Sequence, residues 1–489
     1  MYKLLRLAGV LVVACIFCYR ATVFLDPDFG WHFAMGKLLT TSGIPRSDPF
    51  SYTMQSYPFV DHEWLTNRVI YYLYTTVGTA GLAILFTSLA LFTLVLSVRG
   101  NLLLFTLTSA AIIPFFGTRP QVQSWLYLAA IFLLIRRQTL WHRFRFLVPI
   151  FMLFWANMHG SFAIGLATLW IYILIKSLRM KRLNLSDMVV VLVSTIATLV
   201  NPYGLALWRE SWMQFTDTNL RWSVMEWMPA FFSFNFPFLA VVALSVVFIW
   251  KYRAKINLED KVLYGVFLFQ ASSSVRHIPL FLVIATPLIL TALKYFEAEL
   301  GKIKFGLVRY NKIGKFALAG GILIFDIQTF SAVRGAVGLS ESSFYPQGAV
   351  SYLEQNGICG RLFNDYGWGG YLTWKMPSER LFIDGRMPSF RWNASLPGQS
   401  NWVMKEYTGV LTGGVGFDKV FPKYNVGTVL LPVDKPDSLY IRLTSKLERF
   451  FTETEPYKLK DELAKNSWAE VYKDNIAVIF KRFDCPLGI

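Results

Sequence analysis

The sequence predicts a polytopic α-helical membrane protein with about eleven transmembrane helices and a soluble α/β domain at its C-terminal end. Three observations support this fold class. The 489-residue chain is 54% hydrophobic and only 16% charged, whereas soluble domains average about 25% charged residues. Its mean hydropathy is +0.42, and its apolar runs are of the kind that cross a bilayer. The basic residues are concentrated in the same part of the chain as these runs.

Charge divides the chain into two parts. Residues 1–339 carry 30 Lys and Arg against 14 Asp and Glu, an excess of +16. Residues 340–489 carry 18 against 17, an excess of +1. Because the basic excess lies in the membrane part, where loop charge sets orientation, it indicates no nucleic-acid partner. We therefore predict a transmembrane domain over residues 1–339 and a soluble domain over residues 340–489.

The apolar runs define eleven candidate spans, several of them shorter than the ~20 residues that a spanning helix needs. The first run follows a short basic segment, but no small-x-small cleavage site precedes Asp26, so we interpret it as an uncleaved helix. The candidate spans are 4–25, 78–98, 101–117, 120–135, 146–158, 161–178, 187–200, 237–250, 262–275, 278–296 and 316–333.

Basic residues also set the predicted orientation. With the N-terminus inside, 21 of the 30 basic residues of this part fall on the inner side, as the positive-inside rule expects. An odd number of spans then places residues 340–489 outside, together with the long loops 26–64 and 201–236. The second loop contains GLALWRESWMQF, which is typical of a helix lying in the membrane interface.

Residues 340–489 have the pattern of a small α/β domain. PQGAVSYLEQNG predicts a helix that starts at Pro346 and is closed by Gly357. RLFNDY, ERLFIDG and VGTVLLPV predict strands, and WAEVYKDNIAVIFKR predicts a hairpin turning at Asp474 and Asn475.

The chain has four cysteines. Cys359 and Cys485 both lie in the soluble domain, where an oxidising outer compartment would allow a disulfide, but the sequence leaves their pairing open. Cys15 and Cys18 lie in the first span and are expected to be thiols packed against lipid or protein.

The first outer loop, residues 26–64, concentrates ionisable side chains. Its 39 residues, DPDFGWHFAMGKLLTTSGIPRSDPFSYTMQSYPFVDHEW, contain five carboxylates and two histidines. Acidic and imidazole groups held against a bilayer suit an enzyme that handles a lipid-borne substrate, whereas a plain connector needs none of them. The chain has no HExxH metal pattern, no GxSxG nucleophile elbow and no phosphate-binding P-loop.

Further polar residues are predicted on the same outer face. They lie at the outer ends of spans or in outer loops, and they are Arg119, Gln121, Asn157, His159, Glu226, Arg276 and His277.

The motifs resemble those of the GT-C superfamily of glycosyltransferases, and more closely a bacterial group related to the RgtA/B/C/D-like glycosyltransferases. The first-loop run DPDFGWHFAMGKLLTTSGIPRSDPFSYT, with HEWL behind it, carries most of the resemblance. Other matching pieces are RPQ at 119–121, NMHGSF at 157–162, NPYG at 201–204, EW at 226–227, NDYGWGGYL at 364–372 and FIDGR at 382–386. Relatives in the superfamily include protein O-mannosyltransferases, lipid A aminoarabinose transferases and oligosaccharyltransferase catalytic subunits.

The resemblance implies a role for the carboxylates of the first loop. It makes Asp28 the general base that activates the acceptor; the alternative is that Asp28 caps the following helix. Asp26 would assist Asp28 or serve as that cap. The Asp26-x-Asp28 spacing also fits a divalent metal, which is possible but not favoured, and we expect no other cofactor. His62 and Glu63 would orient the acceptor or supply a second acid, with ordinary loop hydrogen bonding as the alternative.

Two arginines are candidates for contact with a lipid phosphate. Arg276, beside His277, suits forked phosphate recognition, and the alternative is a snorkelling anchor at a helix end. Arg119, close to Gln121, is a similar candidate. Asn157 and His159 precede a glycine that ends a helical run, which suggests a polar cluster lining a cavity or, equally, interhelical packing.

The resemblance thus implies transfer of a sugar from a polyprenyl-phosphate donor to a glycan, lipid or protein acceptor at the outer face of the bacterial cytoplasmic membrane. A ligase or polymerase of the same shape, moving a whole glycan from a lipid diphosphate, would share nearly every feature. A transporter or lipid flippase predicts ionisable residues spread through the membrane midplane, and often repeated halves. Here the polar residues are predicted on one face, and the sequence shows no repeat.

Overall fold

The computed structural model describes residues 2–219, 224–233, 235–303, 306–394, 396–434 and 458–485. The chain divides into two compact units. The first, which we call the helical unit, comprises Met1–Asp26, Leu39–Ile44 and Val60–Gly338. The second, the sheet unit, comprises Pro27–Leu38, Pro45–Phe59 and Leu339–Ile489. Two segments of the first loop therefore belong to the sheet unit.

The part of the chain up to Gly338 is helical. Its helices are α1 (Tyr2–Val23), α2 (Phe29–Thr41), α3 (Trp64–Val98), α4 (Leu102–Ile112), α5 (Gln121–Arg136), α6 (Gln138–Phe144), α7 (Val148–Met158), α8 (Phe162–Met180), α9 (Leu185–Ala197), α10 (Leu205–Thr216), α11 (Phe236–Lys251), α12 (Leu258–Ser273), α13 (Ile278–Leu300) and α14 (Gly306–Gly338). Short 3₁₀ turns at Met225–Trp227 and Val275–His277 connect some of them.

Within the described residues, five helical segments are long and apolar enough to cross a membrane. They are Lys3–Val23, Trp64–Val98, Phe162–Met180, Val275–Leu300 and Lys312–Gly338. Shorter apolar helices cover Leu102–Phe115, Gln121–Arg136, Leu185–Ala197 and Phe236–Lys251. These segments bear out a polytopic helical membrane protein, while the count of eleven spans stays a prediction.

Helix α13 is the most enclosed of the long apolar helices, with 72% of its apolar window buried. It packs against α3, α5, α11 and α12, and α3 in turn packs against α1 and α5. Helix α3 begins at Trp64, earlier than the predicted span, and is kinked at Gly78, whose φ of +71° is not helical. This packing brings the starts of α3, α5 and α13 close together, as the contacts of their side chains show below.

The sheet unit contains a four-stranded sheet of order β1-β2-β4-β3. Its strands are β1 (Arg361–Asn364), β2 (Val426–Pro432), β3 (Trp468–Lys473) and β4 (Ala477–Arg482). Strands β1 and β2 are parallel, whereas β4 is antiparallel to both β2 and β3. The described helices of residues 339–489 are α15 (Glu341–Phe344), α16 (Gln347–Asn356), α17 (Gly369–Lys375), α18 (Val403–Thr412), α19 (Phe417–Tyr424) and α20 (Leu459–Lys465).

The local predictions for this unit are largely confirmed. Helix α16 follows Pro346 and is closed by Gly357, which has a φ of +69° that favours glycine. The predicted hairpin is β3 and β4, and the carboxylate of Asp474 accepts the backbone N–H groups of Ile476 and Ala477 in the turn.

The predicted strand ERLFIDG is wrong. This segment forms only an isolated bridge, between Leu381 and Ser51. Leu381 bonds the backbone of Phe50 and Tyr52 at this bridge. The residues after it bond side chains instead of a ladder: Asn364 accepts from the Phe382 N–H at 3.0 Å and donates to the Ile383 carbonyl at 2.9 Å. Because side chains take the place of a neighbouring strand beyond the bridge, alternation in the sequence could not reveal the difference.

Cys359 and Cys485 form a disulfide, with their Cα atoms 5.8 Å apart. Cys359 lies just before β1 and Cys485 follows β4, so the bond joins two distant parts of the sheet unit. A disulfide of this kind is typical of an oxidising compartment.

Candidate functional site

The starts of α3, α5 and α13 bring most of the sequence-predicted residues together within the helical unit. We call this group the polar cluster; its members are Asp26, His62, Glu63, Arg119, Gln121, His159, Glu226 and Arg276. All of them belong to the helical unit. These residues are distant in sequence, and the helix packing gathers them at the helix starts.

Arg119 joins two acidic residues in the polar cluster. Its guanidinium forms ion pairs with Asp26 and with Glu226. Asp26 is almost fully buried, with 2% of its surface exposed. The Arg119 side chain also lies over the ring of Phe24, 5.9 Å from its centre. Arg119 therefore neutralises a buried carboxylate and links the end of α1 to the 226 segment.

Arg276 has different surroundings. It donates to the side-chain oxygen of Gln121 at 3.4 Å and lies 4.6 Å from the ring centre of Trp227. The ring of His277 meets the same indole edge-on at 6.1 Å. The backbone N–H of Val275 donates to the Met228 carbonyl at 2.9 Å, so the turn before α13 is tied to the 226–228 segment.

Glu63 lies between two histidines. One carboxylate oxygen is 3.4 Å from Nε2 of His62, and the other is 3.7 Å from Nε2 of His159. On its other side, Nδ1 of His159 is within hydrogen-bonding distance of the hydroxyls of Ser124 at 3.0 Å and Ser161 at 2.8 Å. Hydroxyl, imidazole, carboxylate and imidazole groups thus follow one another, in an order suited to holding or moving a proton.

The surroundings of His62 favour its neutral form. Burial, and secondarily the nearby Arg276 guanidinium, lowers the pKa of His62 to about 4. The ring also fits against Gly160, where a Cβ would lie only 2.9 Å from Cδ2 of His62. A larger residue at 160 would push the imidazole out of place, which explains the glycine in NMHGSF.

Asn157 supports this arrangement from α7. Its side-chain amide donates to the carbonyls of Leu153 at 2.8 Å and Val200 at 2.9 Å, and its oxygen accepts from the indole of Trp64 at 2.9 Å. The residue therefore ties α7 to the end of the 185–200 segment and to the first residue of α3. Its hydrogen bonds are those of an interhelical link.

Asp28 lies in the sheet unit, immediately before α2. Its Oδ1 accepts the indole N–H of Trp31 at 3.0 Å and fills the space beside Gly385 that a Cβ there would need. Nearby, a Cβ on Gly30 would collide with the Gly370 carbonyl, and a Cβ on Gly370 would collide with the Pro27 carbonyl, so neither glycine has room for a side chain. The first-loop motif and the FIDGR motif therefore fit together around the Asp28 carboxylate.

Other residues of the FIDGR and NDYGWGGYL motifs form buried ion pairs and hydrogen bonds within the sheet unit. Arg386 is buried between Asp384, which it meets through Nε at 2.9 Å, and Asp48 at 2.8 Å. Burial opposes its charge, but the two carboxylates hold the pKa of Arg386 above its ordinary value. Asp365 accepts from the Gly367 N–H at 2.8 Å, and burial raises the pKa of its carboxyl. We assign these residues to the framework of the unit.

Several residues that contact the site were not among the residues predicted from the sequence. Ser124 and Ser161 contact His159, Trp31 contacts Asp28, and Gly385 makes room for it. Trp31, Ser161 and Gly385 stand inside the motifs quoted above, so motif membership was the signal available for them. Among the described residues, no group of three or more His, Cys, Asp or Glu is arranged to hold a metal ion.

Known proteins with a similar structure were found, although no protein-family model matches the chain and no curated protein does. ArnT from Cupriavidus metallidurans bound to undecaprenyl phosphate matches with a TM-score of 0.50 and 10% identity, over 98% of this chain and 97% of that chain. The same protein in the apo state gives a TM-score of 0.52 and 11% identity over the same shares.

Archaeal oligosaccharyltransferase AglB from Archaeoglobus fulgidus, in complex with an inhibitory peptide and a dolichol-phosphate, matches with a TM-score of 0.52 and 12% identity. The match covers 88% of this chain and 69% of that chain. ArnT and AglB are both GT-C glycosyltransferases. The predicted resemblance to the GT-C superfamily is therefore confirmed at the level of fold.

Proposed function

We propose that this protein is a GT-C-type glycosyltransferase that transfers a sugar from a polyprenyl-phosphate donor to an acceptor at the outer face of the bacterial cytoplasmic membrane. The observation that carries the proposal is a fold shared over nearly the whole chain with ArnT, whose structure contains undecaprenyl phosphate. The dolichol-phosphate in the AglB structure supports the same class of lipid carrier. The partners are the lipid-linked donor, a glycan, lipid or protein acceptor, and the surrounding membrane lipids.

Arg276 is the proposed contact for the lipid phosphate. Arg119 is already matched with Asp26 and Glu226, so a phosphate there would compete with two carboxylates. The partners of Arg276 include the neutral amide of Gln121 and the indole of Trp227. The planar fork of the Arg276 guanidinium matches the oxygens of a phosphate.

Asp28 is the proposed general base. Its support is the superfamily resemblance of the first-loop motif together with the local fit of its carboxylate. The Trp31 N–H and the space at Gly385 fix the position of one oxygen, Oδ1. Fixing the carboxylate favours catalysis because a base acts only when it is held within reach of the proton it removes.

In the proposed reaction, Asp28 takes the proton of the acceptor hydroxyl as that oxygen attacks the anomeric carbon. The bond between the anomeric carbon and the phosphate oxygen breaks, and the lipid phosphate leaves with the bonding electron pair. Direct displacement inverts the anomeric configuration. Loss of the lipid phosphate drives the step, and no nucleotide is consumed. As the superfamily resemblance implies, His62 and Glu63 would orient the acceptor or supply a second acid, and Asp26 would assist Asp28.

A second candidate is transfer of a whole glycan from a lipid diphosphate, which the match to the oligosaccharyltransferase AglB favours. The two reactions differ in the donor and in the mass of the product. In both, the acceptor hydroxyl or amide replaces the lipid carrier at the anomeric carbon.

Purified protein in lipid nanodiscs provides the test. It is incubated with a labelled polyprenyl-monophosphate sugar or a polyprenyl-diphosphate oligosaccharide and with envelope acceptors, and the products are weighed by mass spectrometry. Acceptors come from a strain lacking the gene, whose envelope glycans are compared with those of the wild type. Transfer of one sugar from the monophosphate supports the proposal, and block transfer supports the second candidate. No transfer from either donor, with unchanged envelope glycans, would reject both.

A further inference from the structure

Helix α14 carries one ionisable residue in the middle of its apolar stretch. Its segment Lys312–Gly338 is long and apolar enough to cross a membrane. Between Lys315 and Arg334, Asp326 is the only ionisable side chain. At 1.5 Å per residue, Asp326 lies about 16 Å from Lys315 and about 12 Å from Arg334 along the helix axis. Because the hydrocarbon core of a bilayer is about 30 Å thick, the carboxylate lies near the midplane, too deep for its short side chain to reach either interface.

The Asp326 side chain is exposed on an apolar surface. Of the five long apolar helices in the described part of the chain, α14 is the least enclosed, with 11% of its apolar window buried. Asp326 makes no hydrogen bond or ion pair with the residues that the structure describes. Its neighbours one turn away, Ile322, Leu323 and Phe330, expose 46%, 61% and 70% of their surfaces. We call these four residues the α14 face.

The packing of α14 prevents this face from turning inward. Its other side packs against α1 and α4. There, a Cβ on Gly321 would lie 2.9 Å from Cδ1 of Leu103 in α4. The guanidinium of Arg20 in α1 donates to the Ala332 carbonyl. Rotation of α14 to bury Asp326 would break both contacts, so the carboxylate stays on the outer side of the helix.

A carboxylate at this depth is unfavourable in lipid. Ionisable residues inside membrane segments therefore pair with one another or with polar groups of the protein. Polar side chains also join neighbouring transmembrane helices. A basic side chain from another helix would neutralise Asp326, and the apolar side chains of that helix would cover the rest of the α14 face.

A second copy of this chain, packed through the same face, does not supply the basic side chain. Two copies inserted in the same orientation are related by an axis perpendicular to the membrane, so equal residues lie at equal depth. Such a pair would place two Asp326 carboxylates side by side. Arg334 of either copy would be about 12 Å away along the helix axis. Charge complementarity therefore favours a helix from a different protein.

We propose that the α14 face binds a transmembrane helix of a second membrane protein, and that this helix carries a lysine or arginine near the midplane that pairs with Asp326. None of the residues of the polar cluster lies on α14. The contact is therefore a docking site for a partner, and it does not depend on the proposed transfer reaction.

The test measures energy transfer in liposomes between the full-length protein, fused to a fluorescent protein, and synthetic transmembrane helices that carry an acceptor dye. The peptides share a leucine–alanine sequence of about 20 residues, which spans a bilayer, with lysines at both ends. One peptide has an arginine at its centre, one has that arginine two turns from the centre, and one has leucine in its place.

Two variants change the α14 face. Asp326→Leu removes the carboxylate and leaves an apolar side chain that suits the membrane. Asp326→Lys reverses the charge and is tested with a further peptide that has a central aspartate. Asp484→Asn is the matched control, because Asp484 is an exposed aspartate of the sheet unit paired with Arg482.

We expect the wild type to bind the central-arginine peptide about tenfold more tightly than the leucine peptide, because the contact adds a charged hydrogen bond. The peptide with the displaced arginine should bind as the leucine peptide does. Asp326→Leu should bind all three alike and melt no lower than the wild type. Asp326→Lys should prefer the central-aspartate peptide, and Asp484→Asn should keep the wild-type preference.

Three results would overturn the proposal. Equal binding of the three peptides by the wild type would mean that Asp326 faces lipid without a charged partner. A preference for arginine that persists in Asp326→Leu would assign the binding to another surface. Energy transfer between donor-labelled and acceptor-labelled copies of the protein, abolished by Asp326→Leu, would assign the face to a second copy of this chain.

Discussion

The Oδ1 atom of Asp28 occupies the space in which a side chain on Gly385 would have to lie. Asp28 follows the first predicted span, and Gly385 stands in the FIDGR motif more than 350 residues later. Two motifs that resemble the GT-C superfamily are thus two halves of one local arrangement inside the sheet unit. This relationship makes Gly385 a positioning residue for the proposed base.

Gly385→Ala should therefore displace the Asp28 carboxylate and weaken its bond to Trp31. We expect turnover to fall at least about tenfold, since small misplacements of a catalytic group are costly, while the loss of stability stays within about 1–3 kcal/mol. Gly414→Ala is the control, because a Cβ there meets only Thr412 Oγ1 at 3.7 Å. Turnover and melting temperature are measured together. Unchanged turnover in well-folded Gly385→Ala protein would contradict the positioning role.

Elements with a local cause could be predicted from the sequence. Helix α16 is bounded by a proline and a glycine, and the β3–β4 hairpin turns at Asp-Asn. The long apolar runs predict helices that cross a bilayer, because only apolar side chains are stable in its hydrocarbon core. The predicted outer-face residues Arg119, Glu226, Gln121 and Arg276 do come together in the polar cluster. Motif resemblance and the predicted alternation of spans pointed to them before any contact was known.

Contacts between distant segments could not be predicted. Nothing in the pattern around His159 indicates that Ser124 would lie 3.0 Å from it. The strand predicted for ERLFIDG fails because Asn364 bonds its backbone groups from another segment. Likewise, the ion pairs that engage Arg119 depend on helix packing, and they change its suitability as a phosphate ligand relative to Arg276.

Arg276→Lys keeps the positive charge and loses the forked hydrogen bonds. We expect the Michaelis constant for the donor to rise and turnover to fall, with little change in melting temperature. Arg119→Ala should behave differently, because it leaves the buried Asp26 carboxylate without this ion pair and should cost about 3–5 kcal/mol of stability. Donor kinetics and thermal unfolding of both variants check this difference. If Arg276→Lys and Arg276→Ala both leave the kinetics unchanged, Arg276 is only an anchor.

The low pKa of His62 predicts a pH dependence of stability. The folded pKa is about 4, below the ordinary value of 6.5. Between these values the unfolded chain binds more protons than the folded one, so the free energy of unfolding falls as pH falls through this window. The effect amounts to about 3 kcal/mol at most. His62→Gln should flatten the decline in melting temperature from pH 6.5 to 4.

The matched control for this experiment is His142→Gln, at an exposed histidine. It should reproduce the wild-type profile. An identical pH profile for the wild type and His62→Gln would show that His62 is charged in the folded protein at these pH values, against its proposed neutral role beside Glu63.

Orientation is tested by fusing alkaline phosphatase to truncated chains. With the N-terminus inside, a fusion after residue 340 should be active and one after Arg182 should be silent. The prediction follows from the 21 of 30 basic residues assigned to the inner side. An active fusion after Arg182 with a silent one after residue 340 would reverse the orientation, and the outer-face reaction would have to be abandoned.

Asp28→Asn is the sharpest test of the proposed mechanism. The amide has nearly the same shape as the carboxylate, so its oxygen still accepts the Trp31 N–H, and it still fits beside Gly385. Folding and expression should therefore survive. A general base contributes about 10²–10⁴-fold in rate, so the substitution should raise the barrier by about 3–5 kcal/mol. An aspartate that only caps α2 predicts near-normal activity, since asparagine caps helices equally well.

The assay measures single-turnover transfer from a matched polyprenyl-phosphate sugar to an identified acceptor, with melting temperature recorded for each variant. Asp484→Asn, an exposed aspartate of the same unit paired with Arg482, controls for loss of a negative charge and should retain full activity. If Asp28→Asn retains more than about a tenth of wild-type turnover, the substitution raises the barrier by less than ~1.4 kcal/mol. That is too little for the loss of a general base. The base would then be sought at Glu63, because its carboxylate already lies between two imidazoles that could relay the proton.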